Sequence, residues 1–194
     1  MEVRDLYDEK RNLTGETIFK GESIPKGRYI VEAQFQVGHC YYLDAPDARL
    51  DQTETKKAIE FFTKFVELYP DNPYAEQAYK EMNELYDKLA YKEYLSAKLY
   101  YNLGTYLGNN YLSAEIIAKN ALKDYPTNKH QEELNWIILQ AKYQQLINSI
   151  DSKREERARE TDDEYYSFIT QYPASKHRQA ADKIHKEIQK ILEK

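Results

Sequence analysis

Small and apolar residues recur along this chain at one fixed set of steps. In AIEFFTKFVELYP they stand at Ala58, Phe62 and Phe65, and Tyr69-Pro70 closes the segment. The set returns at Ala114, Ala118 and Ala121 before Tyr125-Pro126, and again at Thr161, Tyr165 and Phe168 before Tyr172-Pro173. From the first marked residue the steps are +4, +7 and +12 in all three copies. Steps of four and three keep one helical face in line, so each triplet is a buried stripe. The proline cannot continue the helix and turns the tyrosine before it out of helical geometry. Two residues beyond the prolines come Asn72, Asn128 and Ser175, good N-caps for a following helix. The unit reads as helix, Tyr-Pro stop, cap, next helix. A helix that buries one stripe needs neighbours, and stacking of repeats supplies them.

The pattern predicts an all-α fold, a tetratricopeptide-like α-solenoid of stacked antiparallel helix pairs with no sheet. Residues 1–27 read as the remnant of a preceding repeat and a loop, with a short helix over 1–12 and a loop over 13–24. Residues 28–194 read as irregular repeats ending in a polar capping helix. Pro25 suits the first turn of a helix running to about Leu43. On it Ala33, Val37, Cys40 and Tyr41 share a face, and Gly38 gives a close-packing spot. DAPDARLDQ, Asp44 to Gln52, is a loop, and Thr53 caps the helix that ends near Leu68. Asn72 caps one long helix to about Leu103, since Tyr74–Leu103 contains neither Gly nor Pro. Its apolar set is Ala75, Ala78, Tyr79, Met82, Leu85, Leu89, Leu95 and Leu99. After a break at Gly104–Asn110 come helices at 111–124 and 129–150, the latter with Leu134, Ile137, Ile138, Ala141 and Leu146. DSKREERARE, 151–160, continues a helix or forms its exposed end. Ser175 caps the final helix.

Composition narrows the function classes. Charged residues make up 31% of the 194 and the net charge is −5, which argues against a dedicated nucleic-acid binder. Mean hydropathy is −0.87, and no apolar run approaches the ~18 residues of a membrane span. The charged start MEVRDLYDEKR is no signal peptide, and its abruptness on a repeat array suggests a piece cut from a longer chain. One cysteine excludes an intrachain disulfide. Nineteen tyrosines suit both a thin two-layer array and a surface for protein recognition.

No constellation for catalysis emerges, and no cofactor or metal is expected. GESIPKGR lacks the Gly-Lys-Ser/Thr of a phosphate loop. Asp44, Asp47 and Asp51 miss the spacing of a calcium loop and read as a solvated turn. The four histidines form no HExxH helix, and His39 beside Cys40 points about 100° away from it on a helix, so Cys40 reads as core packing. The candidate partner-binding residues are Tyr101, Tyr106 and Tyr111, which surround a loop between two helices, with Lys119 and Lys123 on the next helix. For the tyrosines the alternatives are core and loop packing or anchors of an interface. For the lysines they are solvated surface or a charged rim.

Helix pairs closed by proline, with a small residue where they cross, resemble tetratricopeptide repeats, although the prolines stand 56 and 47 residues apart rather than about 34. FTKFVELYPDNPYAEQAYKEMNELYDKLAYKEYLSAKLYYNLG, followed by a second copy closing on ALKDYP, resembles the BamD family, repeat-bearing lipoproteins of the β-barrel assembly machinery. The most specific part is the long helix running into LAYKEYLSAKLYY. LDQTETKKAI and INSIDSKREER look like versions from the Bacteroides group. The resemblance spans about residues 28–190, the C-terminal repeats of the family. It implies a non-enzymatic adaptor on the periplasmic face of the outer membrane, lipid-anchored in full, binding the periplasmic domains of BamA and helping to deliver unfolded outer membrane proteins. The lipid-bearing cysteine of the family has no counterpart in Cys40, which lies inside a predicted helix. The family's N-terminal repeats, associated with recognising the barrel substrate, also find no counterpart, so the BamA-facing half is the part expected here. The alternatives are a periplasmic repeat scaffold of the cell-envelope division machinery and the docking arm of a larger enzyme.

Overall fold

A computed structural model describes residues 3–7, 13–19 and 28–193. Seven helices follow one another: α1 Arg28–Asp44, α2 Thr53–Leu68, α3 Pro73–Leu103, α4 Asn110–Asp124, α5 Gln131–Ile147, α6 Asp151–Gln171 and α7 Arg178–Leu192. Each packs on the next, and α1 also meets α3 while α3 meets α5. The odd helices therefore form one layer and the even helices the other, the two-layer arrangement of an α-solenoid.

The frame is the spine of this array. All nine of its stripe residues are buried, none more than 5% exposed. Its three tyrosines adopt one conformation, with φ/ψ of −135/57°, −129/68° and −127/65°. Each donates its backbone N–H to the last stripe residue, Phe65, Ala121 or Phe168, at 2.8–2.9 Å. Each then accepts from the N–H of the residue three positions on, Asn72, Asn128 or Ser175. The Asn72 carboxamide accepts from the Tyr74 N–H at 2.9 Å, and the Ser175 hydroxyl from the His177 N–H at 2.9 Å. α3 begins there because the Asn72 side chain satisfies an amide that the first turn leaves unpaired. Asn128 and Ser175, expected as caps, instead hold the turn before the helix, and α5 and α7 start after His130 and His177, which carry no side-chain cap bond.

A fourth position of the frame was not visible as a stripe. Four residues beyond each proline stands an aromatic ring: Tyr74, His130 and His177. Each packs on an aromatic of the preceding odd helix: Tyr74 and His177 stack on Phe35 and Trp136, both at 4.8 Å between centroids, and His130 lies tilted by 32° on Tyr91 at 4.9 Å. These contacts join one repeat to the next. Polar bonds flank them: Lys129 reaches Asp87 at 2.7 Å, and the Ser175 hydroxyl donates to Glu132 at 2.6 Å.

Several expectations change. A two-stranded antiparallel hairpin precedes the array, β1 Val3–Tyr7 with β2 Leu13–Phe19, where a short helix and a loop were expected. The expectation of a chain without sheet thus holds for the helical array, and the hairpin is the exception. Val3, Thr14, Thr17 and Ile18 are β-branched and suit an extended ladder better than a helix. Residues 8–12 and 20–27, with Pro25 and most of GESIPKGR, lie outside the described residues.

On α1 the buried side carries Phe35 and Gly38, not Ala33, Val37 and Cys40, all three of which are exposed. A ring at 35 sits in the Phe62–Phe65 corner, and a Cβ at Gly38 would stand 2.8 Å from Phe62. That close approach fixes which side of the helix faces inward. Cys40 is consequently a surface thiol and not core. On α3, Ala75, Ala78, Met82, Leu85 and Leu89 are buried as expected, whereas Tyr79 and Leu99 are exposed. DSKREERARE opens α6 itself rather than extending α5.

Candidate partner-docking site

The α3–α4 hairpin turns on Gly104. Its φ of +58° is a conformation L side chains rarely adopt, and a Cβ there would lie 2.9 Å from the Tyr111 hydroxyl. The Gly104 N–H closes α3 on the carbonyls of Tyr100 and Tyr101, and its own carbonyl accepts from the Asn110 N–H at 3.0 Å. The Asn109 side chain accepts from the Leu112 N–H, capping α4. Asn110 donates to the Tyr106 carbonyl at 2.6 Å. The turn is thus held from within by backbone and amide groups, and its apolar side chains are left outside.

The five predicted residues divide. Tyr101 and Tyr111 meet edge to face with centroids 5.6 Å apart, packed on the core formed by Ala97, Ala114, Ala118 and Ile137. Burial pushes the Tyr101 hydroxyl up, and Tyr111 adds to this, against a hydrogen bond with Gln144. These two rings hold the hairpin together. Tyr106 stands apart at the tip, 68% exposed, next to Leu107 at 90%. Lys119 pairs with Glu115 at 2.6 Å, and Glu115 also accepts from Gln145 of α5. Lys123 is exposed in the last turn of α4, where a cation is favoured by the helix dipole.

The residues that sequence reasoning missed are Leu112 and Ile116. Both are exposed, and with Lys119 and Lys123 they run down α4 at steps of four, three and four, opposite its alanine stripe. The other even helices carry charge at the matching places of the frame, Lys56 and Glu60 on α2, Arg159 and Asp163 on α6. Only comparison of the three copies position by position reveals this. A second signal lay in plain view: Leu99–Ala114 contains no charged residue in a chain that is 31% charged.

Elsewhere the polar groups serve the array. A groove of about 660 Å³ runs along α3 past Glu76, Tyr79, Lys80 and Asn83 to Thr127 and Lys129. Its Glu84 accepts from the Tyr42 hydroxyl at 2.6 Å, and this bond, with burial, pushes that phenol up to about 12. His39 bonds Glu81 at 2.9 Å while its neighbour Cys40 faces solvent, so the pair is not brought together. Among the described residues no three His, Cys, Asp or Glu gather as a metal site, and no helix is long and apolar enough to cross a membrane.

A search of the curated proteins found no match. Among protein families, residues 22–109 match the model described as YfiO, outer membrane lipoprotein. The match takes in α1, α2, α3 and the turn that carries Tyr106 and Leu107. Over that segment the chain is similar to a family of outer membrane lipoproteins.

Proposed function

We propose that this protein is a non-enzymatic adaptor of the outer membrane's β-barrel assembly machinery, docking the periplasmic domains of BamA on the outward face of α4. The carrying observation is the change of character at two frame positions. Leu112 and Ile116 are exposed apolar residues where α2 and α6 place charges. An apolar centre with a cationic flank, here Lys119 and Lys123, has the anatomy of a protein interface. The outer membrane lipoprotein similarity supports the location and the class of task. The stacked array contributes rigidity, so the α4 face is presented without reordering and binding loses little conformational entropy.

In this reading Tyr101 and Tyr111 act indirectly by fixing the hairpin, and Tyr106 borders the surface at its upper end. Unfolded outer membrane proteins would be handed on through the complex, and the full-length protein would be lipid-anchored on the periplasmic side. The test is gel filtration of the chain mixed with BamA periplasmic domains from the same organism. Co-elution that Ile116→Asp abolishes supports the proposal; absence of co-elution by the unaltered chain contradicts it.

A further inference from the structure

The α3–α4 tip carries more exposed apolar surface than the α4 face accounts for. Leu99, Tyr100 and Leu103 are exposed on α3, at 58, 37 and 39%, and Tyr106 and Leu107 on the turn. Counting ~100° per residue, Leu99 and Leu103 stand roughly 200–240° round α3 from buried Ala97, and Leu112 roughly 160° round α4 from buried Ala114. The tip is therefore apolar on both outward sides and at its end. A partner with one face covers one side; a lipid surface wets all of them at once.

The charges support lipid as the occupant. The uncharged stretch is bounded by Lys98 below Leu99 and by Glu115 below Ala114. That leaves about five residues at the end of each helix, or about 7 Å of uncharged height at 1.5 Å per residue. Amphipathic segments lie about 5–10 Å deep at the headgroup and acyl boundary. Tyr100 and Tyr106, both exposed, fall within the same height, the residue type that favours that boundary. Asn102, Asn109 and Asn110 find water or headgroups there and are not forced into hydrocarbon.

We propose that the α3–α4 tip, led by Tyr106 and Leu107, dips into the interfacial layer of a lipid bilayer. The proposal rests on the membrane-side location; it shares Leu112 with the α4 docking face, whereas Leu99, Leu103 and Leu107 lie outside that face. It predicts that the chain, with no lipid anchor attached, sediments with phosphatidylcholine vesicles and with vesicles containing phosphatidylglycerol. Leu107→Asp should lower that partition about tenfold or more, since burial of one leucine is worth at least that factor. Leu107 is 90% exposed and sits at φ +55°, a conformation aspartate tolerates, so the fold is spared. Tyr106→Trp supplies a reporter: its emission should shift blue on vesicles and be quenched by lipids brominated in the upper acyl chain. Three results with vesicles alone would overturn the idea. These are no sedimentation of the unaltered chain with either vesicle, equal partition of Leu107→Asp, or unshifted emission from the Tyr106→Trp variant on vesicles that do bind it. Loss of BamA binding by Leu107→Asp with vesicle partition unchanged would assign the tip to a protein cleft and likewise overturn it.

Discussion

His177 lies flat on Trp136, with ring centroids 4.8 Å apart and planes 9° from parallel. His177 stands before the first turn of α7 and Trp136 in α5, so the stack spans two odd helices that are not consecutive in the chain. The Glu133 carboxylate meets the same imidazole at 3.2 Å and also pairs with Lys176. Tyr74 on Phe35 repeats the stack in the first unit, and His130 makes the equivalent contact on Tyr91 with its ring tilted by 32°. The Tyr-Pro turn thus does two things: it stops one helix and lays a ring on the previous repeat.

Removing either ring of the last stack should loosen α7 from α5. His177→Ala should cost about 1 kcal/mol, and a double-mutant cycle with Trp136→Leu should return a coupling of about 0.5–1.5 kcal/mol. Urea melts of the four proteins measure it. A coupling near zero would mean the rings merely lie beside one another.

Gly104→Ala should destabilise by about 1–3 kcal/mol, through an unfavourable positive φ and contact with the Tyr111 hydroxyl. Adding Tyr111→Phe should recover most of the contact part, with the ring Cζ left at 3.2 Å, and leave the backbone part. Thermal melts separate the two, and full recovery would show that backbone conformation at 104 is not at issue.

Acid should weaken the α5–α7 contact. Burial opposes ionisation of Glu133, but its bonds to Lys176 and His177 outweigh this and hold the carboxyl below its ordinary value of 4.5. A carboxylate with a depressed folded pKa contributes stability that is present above the unfolded value and is lost as pH falls through the folded pKa. The unaltered chain should therefore lose stability below about pH 4.5 more steeply than Glu133→Gln. Identical acid slopes in denaturant melts from about pH 6 to about pH 3, the window that brackets this titration, would contradict this.

The helical array was legible because its signal is local. Ala58-Phe62-Phe65 and its two counterparts repeat at helical steps, and burial of all nine follows from geometry that any window of thirteen residues contains. What escaped was non-local. The ring at proline plus four means nothing until its partner, 39 to 41 residues upstream, is known. Cys40 and Val37 looked inward on apolar character alone; the tight seat of Gly38 on Phe62 decided otherwise. At the site the difficulty was chemical identity. Tyr101, Tyr106 and Tyr111 are the same residue within eleven positions, and only the path of the turn from Gly104 to Asn110 puts two inside and one out. Leu112 and Ile116 looked like ordinary helix residues until set against Lys56, Glu60, Arg159 and Asp163.

The central claim is that the outward face of α4 docks a protein partner. Isothermal titration of the chain with BamA periplasmic domains tests it most directly, using Ile116→Asp and Lys119→Glu/Lys123→Glu beside Lys56→Glu on α2 as a control. The account predicts a loss of about tenfold or more in affinity for each α4 variant and less than about twofold for the control, with helicity unchanged in all. Equal affinity across the set, or no heat of binding with the unaltered chain, would contradict it.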